Sequence, residues 1–214
     1  MRLRNKPWAK DFINSHPKIV EQNPKAIRGA WKERFGIDQP LYVEVGTGKG
    51  RFVNELAKAE NANIIGVEKY ESVIISAVET AVNEPKDNLV FLQQDVTELT
   101  EFFAPNEIDR LYINFTDPWP KNRHAKRRLT HAGFLAKYEE VLKDGAEIHF
   151  KTDNQQLFEY SLESLTEYGF YVKNVSLDLH NSGMKNNIMT EYEQKFSSNG
   201  MRIYRLEARL HSKK

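Results

Sequence analysis

From Leu41 onward the sequence alternates short apolar runs with helical stripes, and few architectures absorb that rhythm. Leu41 to Val45, Ile64 to Val67, Leu89 to Leu92, Ile108 to Phe115 and Ala146 to Phe150 read as buried strands. Phe52, Val53, Leu56 and Ala57 share one helical face between the first two. Val73, Ile74, Ala77, Val78, Ala81 and Val82 share another. A third face is Phe134, Leu135, Tyr138, Val141 and Leu142, with Thr130 as expected N-cap and Gly145 as expected C-cap. Leu157, Ser161, Leu162, Leu165 and Tyr168 form a fourth, stopped by Gly169. Strands separated by helices need right-handed parallel crossovers, so the expected fold is α/β, an open twisted sheet with helices on both faces. Phe170 to Leu179 and Tyr204 to Leu210 have no convincing helix between them. They are expected to be antiparallel neighbours, completing a seven-stranded, mostly parallel sheet with an antiparallel terminal strand.

Residues 1–39 lack this rhythm and hold Pro7, Pro17 and Pro24, so they are expected to be an irregular N-terminal extension packed on a core domain spanning 40–214. Ile27, Trp31 and Phe35 recur every fourth residue, which predicts a short amphipathic turn ended by Gly36. No apolar run is long enough for a membrane span or a signal peptide, and the 214 residues contain no cysteine. A cytoplasmic protein without metal is expected, and His124 and His131 lack zinc-like spacing. The formal net charge is +1, so any case for a polyanionic partner has to be local.

Glu44-Val45-Gly46-Thr47-Gly48-Lys49-Gly50 closes the first strand and opens the first helix, where glycines let a ligand approach the backbone. Alone, this is also an ordinary tight turn. Glu68 ends the second strand about 20 residues later, where a carboxylate can take both hydroxyls of a ribose; the plainer reading is a solvated strand end. Glu44 would repel a pyrophosphate but suits a cationic ligand, and Asp95 past the third strand could take an adenine amine. These features favour S-adenosylmethionine over a nicotinamide dinucleotide.

Asn114-Phe115-Thr116-Asp117-Pro118-Trp119-Pro120 follows the fourth strand. The prolines bias Asp117 and Trp119 toward extended backbone, although Trp119 could simply be core. Lys121 to Arg128 then holds five Lys or Arg residues and no acid, either a solvated face or an entry for a phosphate backbone. Asp153 or Asn154 is placed to cap the helix that follows the fifth strand. Met184 to Asn187 has the composition of a mobile segment.

Taken with Lys151-Thr152-Asp153, Thr190-Glu191-Tyr192-Glu193 and the R-x-R-x-K-P-W start, these motifs resemble the bacterial tRNA (guanine-N7)-methyltransferases over nearly the whole chain. The resemblance implies a Rossmann-like class I methyltransferase fold and methyl transfer from S-adenosylmethionine to a guanine in the variable region of tRNA. By motif position it implies that Glu44, Gly46, Gly48, Glu68, Asp95 and Asp117 bind the cofactor, with Asp117 also catalytic. Lys121, Asp153, Thr190, Glu191, Tyr192 and Glu193 would bind substrate, and Arg123, His124, Lys126, Arg127 and Arg128 would lie on RNA. Asn122 stands where another basic residue is expected. Rival readings are an amino-group methyltransferase, which shares an acidic-proline loop; a dinucleotide oxidoreductase, which shares the glycine loop and Glu68; and a non-catalytic RNA-binding module, which shares the basic run.

Overall fold

The computed structural model describes residues 6–210. Arg2 and Arg4 of the R-x-R-x-K-P-W start lie outside them. Seven strands form a mixed sheet of order β3-β2-β1-β4-β5-β7-β6. The chain divides into two compact units, Met1–Ala104 and Pro105–Lys214.

The first unit contains β1 (Leu41–Val45), β2 (Asn63–Val67) and β3 (Leu89–Leu92), paired in parallel. All five β2 residues are buried, as expected of a parallel strand covered on both faces. Helices α3 (Arg51–Ala59) and α4 (Glu71–Asn83) make the crossovers. They bury the two stripes read from the sequence, Phe52, Val53, Leu56 and Ala57 on one and Ile74, Ala77, Val78 and Ala81 on the other. Ahead of them lie α1 (Ala9–Asn14), which packs on α4, and α2 (Trp31–Phe35). Gly36 ends α2 in the left-handed region (φ 68°), as its sequence position predicts. The 6–39 stretch is tied in by backbone as well as packing. Val20 bridges to Phe91 beside β3, and the buried Trp31 indole donates to the Phe102 carbonyl at 2.9 Å. Helix α5 (Leu99–Phe102) is one turn long and carries no periodic signal.

The second unit contains β4 (Ile108–Asn114), β5 (Leu142–Thr152), β6 (Tyr171–Ser176) and β7 (Tyr204–Arg209). β4 and β5 are parallel, whereas β7 runs antiparallel to both β5 and β6 and lies between them. Helices α6 (Ala132–Val141) and α7 (Gln155–Tyr168) pack together, and α7 covers β5, β6 and β7. Two expected caps are corrected. Thr130 is buried and exchanges a 2.7 Å hydroxyl bond with Ser161; the His131 ring caps α6 instead, accepting from the Gly133 N–H. Gly145 does not end α6, because Leu142 is already extended; it sits in an irregularity of β5 with φ 71°. Gly169 does end α7 in the left-handed region. Helix α8 (Glu191–Ser198) was not expected. No helix among the described residues is long and apolar enough to cross a membrane.

Candidate functional site

In the first unit the ligand-facing features gather at the carboxyl ends of the strands, where open parallel sheets bind ligands. The Gly46 and Thr47 N–H groups both donate to the Val67 carbonyl, at 2.8 and 3.0 Å, folding the glycine loop over the end of β2. Gly50 takes φ 80°, and a Cβ there would fall 2.3 Å from that of Ala77, so α3 can start this close to α4 only with glycine. Gly48 also has positive φ, but nothing lies within 4 Å of its missing Cβ, which leaves that part of the loop open.

Three acids stand at the ends of these strands. Glu44 is 2% exposed and accepts the Thr47 hydroxyl at 2.5 Å. Glu68 accepts from the Gly48 N–H (3.1 Å) through one oxygen and from the Tyr70 N–H (3.0 Å) through the other. Asp95 accepts from the Thr97 N–H and, at 2.6 Å, from the Lys69 ammonium. Burial alone would raise the Asp95 pKa, but the Lys69 and Thr97 hydrogen bonds outweigh it and hold the carboxyl below its usual range. A row of carboxyl acceptors at these strand ends, with an open glycine turn, fits a ligand that brings hydroxyls, an amine and positive charge, as S-adenosylmethionine does. It suits a pyrophosphate poorly.

In the second unit the loop after β4 is strained and held. Phe115 and Trp119 adopt positive φ, 50° and 42°. The expectation of extended backbone at Trp119 is therefore corrected: contacts on its carbonyl and its ring override the preference that Pro120 imposes. Arg128 donates to the Trp119 carbonyl (3.0 Å) and the Pro118 carbonyl (3.2 Å) while its guanidinium lies 4.3 Å from the Tyr160 ring centroid. Arg127 lies over the Trp119 ring at 4.8 Å, and His124 meets that ring edge-on. Asp117 is exposed on this loop.

Residues 122–127 of the basic run form a 3₁₀ turn. Lys121, Arg123, Lys126 and Arg127 are exposed, whereas Arg128 is half-buried and turned toward the loop. The run is thus two things, an exposed basic turn and one inward brace.

At the end of β5, Asn154 rather than Asp153 caps α7, accepting from the Leu157 N–H at 2.8 Å. Asp153 is left half-buried, and that burial raises its pKa above the usual carboxylate value. Thr190 caps α8 by accepting the Glu193 N–H at 3.0 Å. Glu191 and the half-exposed Tyr192 open that helix, Tyr192 stacking on Phe196. Glu193 itself is fully buried, with its carboxylate 2.6 Å from the Lys151 ammonium. Lys151, Asn187 and His180, which surround it, were not singled out as site residues. The available signals were a lysine inside a buried strand and the T-x-x-E spacing of a helix start.

Glu147, His149 and Glu207 bring three possible metal-ligand atoms within 4.8 Å of one another. Their carboxylates already meet Lys173, Arg205 and Asn174. Burial lowers the His149 pKa, which favours the neutral ring.

Comparison with known proteins gives the family and the fold. Residues 38–206 match the profile of a family described as "Putative methyltransferase". A tRNA (guanine-N(7)-)-methyltransferase of Halalkalibacterium halodurans is 59% identical over 209 residues, covering 97% of this chain and 95% of the relative. Among solved structures, an antibiotic-related methyltransferase superposes with TM-score 0.65 at 20% identity, covering 85% of this chain and 94% of that one. A 16S rRNA (adenine(1408)-N(1))-methyltransferase from Catenulisporales acidiphilia, solved with its cosubstrate S-adenosylmethionine, gives 0.61 at 17% identity, covering 86% and 91%. These structures share the fold, and on the sequence match this chain belongs to the tRNA (guanine-N7)-methyltransferase family.

Proposed function

We propose that this protein transfers the methyl group of S-adenosylmethionine to N7 of a guanine in the variable region of tRNA. The observation that carries the reading is the braced loop after β4, which presents exposed Asp117 directly before an exposed basic turn. Glu68 is placed to accept ribose hydroxyls, Asp95 an adenine amine, and Glu44 to favour the cationic amino-acid end, with the Gly46–Gly48 backbone alongside. The bound cofactor supplies an electrophilic methyl on a sulfonium and leaves as the neutral thioether.

Guanine N7 carries a free lone pair, so no proton has to be removed before attack and alignment dominates the barrier. The new N–C bond leaves positive charge on the purine, which the Asp117 carboxylate stabilises as a fixed anion. Lys121 donates to O6 and Asp153 accepts from N1 and the exocyclic amine, a pattern adenine reverses. Thr190, Glu191 and Tyr192 border the base, and Glu193 serves them from the interior. Arg123, His124, Lys126 and Arg127 meet phosphates, while Arg128 contributes through the loop it braces. The protein works in the cytoplasm, where its tRNA substrate is found.

The deciding experiment methylates tRNA with isotopically labelled S-adenosylmethionine, digests it with nuclease and locates the label by mass spectrometry. Label on guanine N7 is expected. Label on an exocyclic amine would replace this reading with the amino-group alternative.

A further inference from the structure

Lys151 ties together two segments of the second unit through its side chain and its main chain. Its ammonium has three protons and meets three acceptors, the Glu193 carboxylate at 2.6 Å, the Ile188 carbonyl at 2.8 Å and the Asn187 side-chain oxygen at 3.1 Å. The second Glu193 oxygen accepts from the Asn187 amide at 2.5 Å and lies 3.2 Å from the His180 ring. The side chains of Lys151 and Glu193 are 6% and 0% exposed. The Lys151 carbonyl, on the main chain, accepts from the Phe115 N–H at 2.9 Å, where the Asp117 loop begins. One residue at the end of β5 therefore anchors two loops, with Asp153 two positions further along the same strand end.

We infer that Lys151 is a positioning residue for tRNA: its buried clasp on Glu193, Asn187 and Ile188 fixes the start of α8, so that Thr190, Glu191 and Tyr192 stand ready for the target guanine. The inference rests on the proposed methyl transfer to tRNA. It also changes the part played by Glu193, whose carboxylate is consumed inside the clasp and acts on the substrate through the segment it holds.

A buried pair that served stability alone could be exchanged for apolar side chains of similar volume at little cost. The test is therefore the double variant Lys151→Met/Glu193→Leu, with Asn187→Ala as a second variant that strips one hydrogen bond from each partner and leaves no bare buried charge. Hydrogen exchange is followed in peptides covering 180–193 and in peptides from β5 and β7, alongside calorimetric S-adenosylmethionine binding and the kcat and KM for tRNA. The double variant should exchange at least tenfold faster over 180–193, keep core exchange and cofactor affinity within about twofold, and lose at least thirtyfold in kcat/KM for tRNA. Asn187→Ala should shift the same segment and raise the tRNA KM by a smaller factor. Lost activity with unchanged exchange over 180–193 would overturn the clasp and return Glu193 to direct contact with the base. Faster exchange with normal kcat/KM would overturn the positioning role. Should the wild-type protein fail to methylate guanine N7, the proposed function falls, while the exchange measurement still decides whether Lys151 orders the segment.

Discussion

The acidic strand ends of the first unit and the loop cluster of the second are built on different length scales. Glu44 is met by Thr47, Glu68 by Tyr70 and Asp95 by Thr97, partners two or three residues away. The longer contacts, Gly48 to Glu68 and Lys69 to Asp95, only cross to the next strand end. Lys151 instead reaches partners 36 to 42 residues further along the chain. Each strand-turn-helix passage of the first unit brings its own ligand groups into place as it forms. In the second unit the Asp117 loop is braced by Arg128 from 9 to 10 residues away, but the start of α8 is fixed only once the chain has returned to Lys151, so damage at that clasp should spread further from the altered residue.

Four measurements sharpen or break that contrast. Asp117→Ala should lower single-turnover methyl transfer by about a hundredfold or more, the scale expected when a group that stabilises developing charge is removed, with tRNA affinity nearly unchanged. A near-normal rate would reduce the loop to a rigid turn. Glu68→Ala should weaken S-adenosylmethionine binding by roughly 10- to 100-fold in calorimetry, because hydrogen bonds to a charged acceptor contribute about 1.5–3 kcal/mol. Exchange in the second unit should stay as in wild type, and a spreading effect there would break the contrast.

The third concerns pH. Burial raises the Asp153 pKa, so the acid limb of kcat/KM for tRNA should lie above the usual carboxylate range, with activity falling as the carboxylate protonates. Asp153→Asn should remove that limb. The sign for stability is the reverse: a raised acid pKa makes the neutral form the better folded one, so this residue's contribution declines as pH rises through the raised value. Glu147 behaves oppositely. Burial opposes its ionisation, yet hydrogen bonds from His149 and Lys173 bring its pKa down to about 2, so its contribution is present above 4.5 and is lost as pH falls toward 2.

The smallest expected effect separates the exposed basic turn from its brace. Arg123→Ala/Lys126→Ala should leave the melting temperature unchanged, raise the tRNA dissociation constant several-fold, and flatten the log-log salt dependence by roughly 0.7–0.9 for each phosphate no longer neutralised. Arg128→Ala should instead lower the melting temperature, since it frees the Pro118 and Trp119 carbonyls. Unchanged salt dependence in the first variant would make the turn a solvated face.

What the sequence revealed follows the same division. The parallel strands, the glycine loop and the faces of α3, α4, α6 and α7 were readable because periodicity and turn chemistry act over a few residues. Thr130 and Gly145 were misassigned because each is an ordinary cap residue whose neighbours, Ser161 and the irregular start of β5, took it for another use. Trp119 was misread because a pre-proline rule yields to contacts from Arg127 and Arg128, residues that follow it in sequence but fold back over it. Helix α8 was missed although Thr190-x-x-Glu193 is a helix-start spacing, since its short apolar face has only Phe196 and Tyr192 to announce it. Nothing local marks Lys151 as the partner of Glu193.

The placement of β7 between β5 and β6 has a consequence for a chain emerging from the ribosome. Residues 171–176 are made well before 204–209, yet they have no strand to pair with until the later segment arrives. During that interval the β5 edge next to β7, with Ile148 and Phe150 on it, stands open to any extended chain nearby. The unit therefore closes from the middle, and a nascent chain stalled before Tyr204 should be a client for chaperones to a degree that one stalled after Arg209 is not.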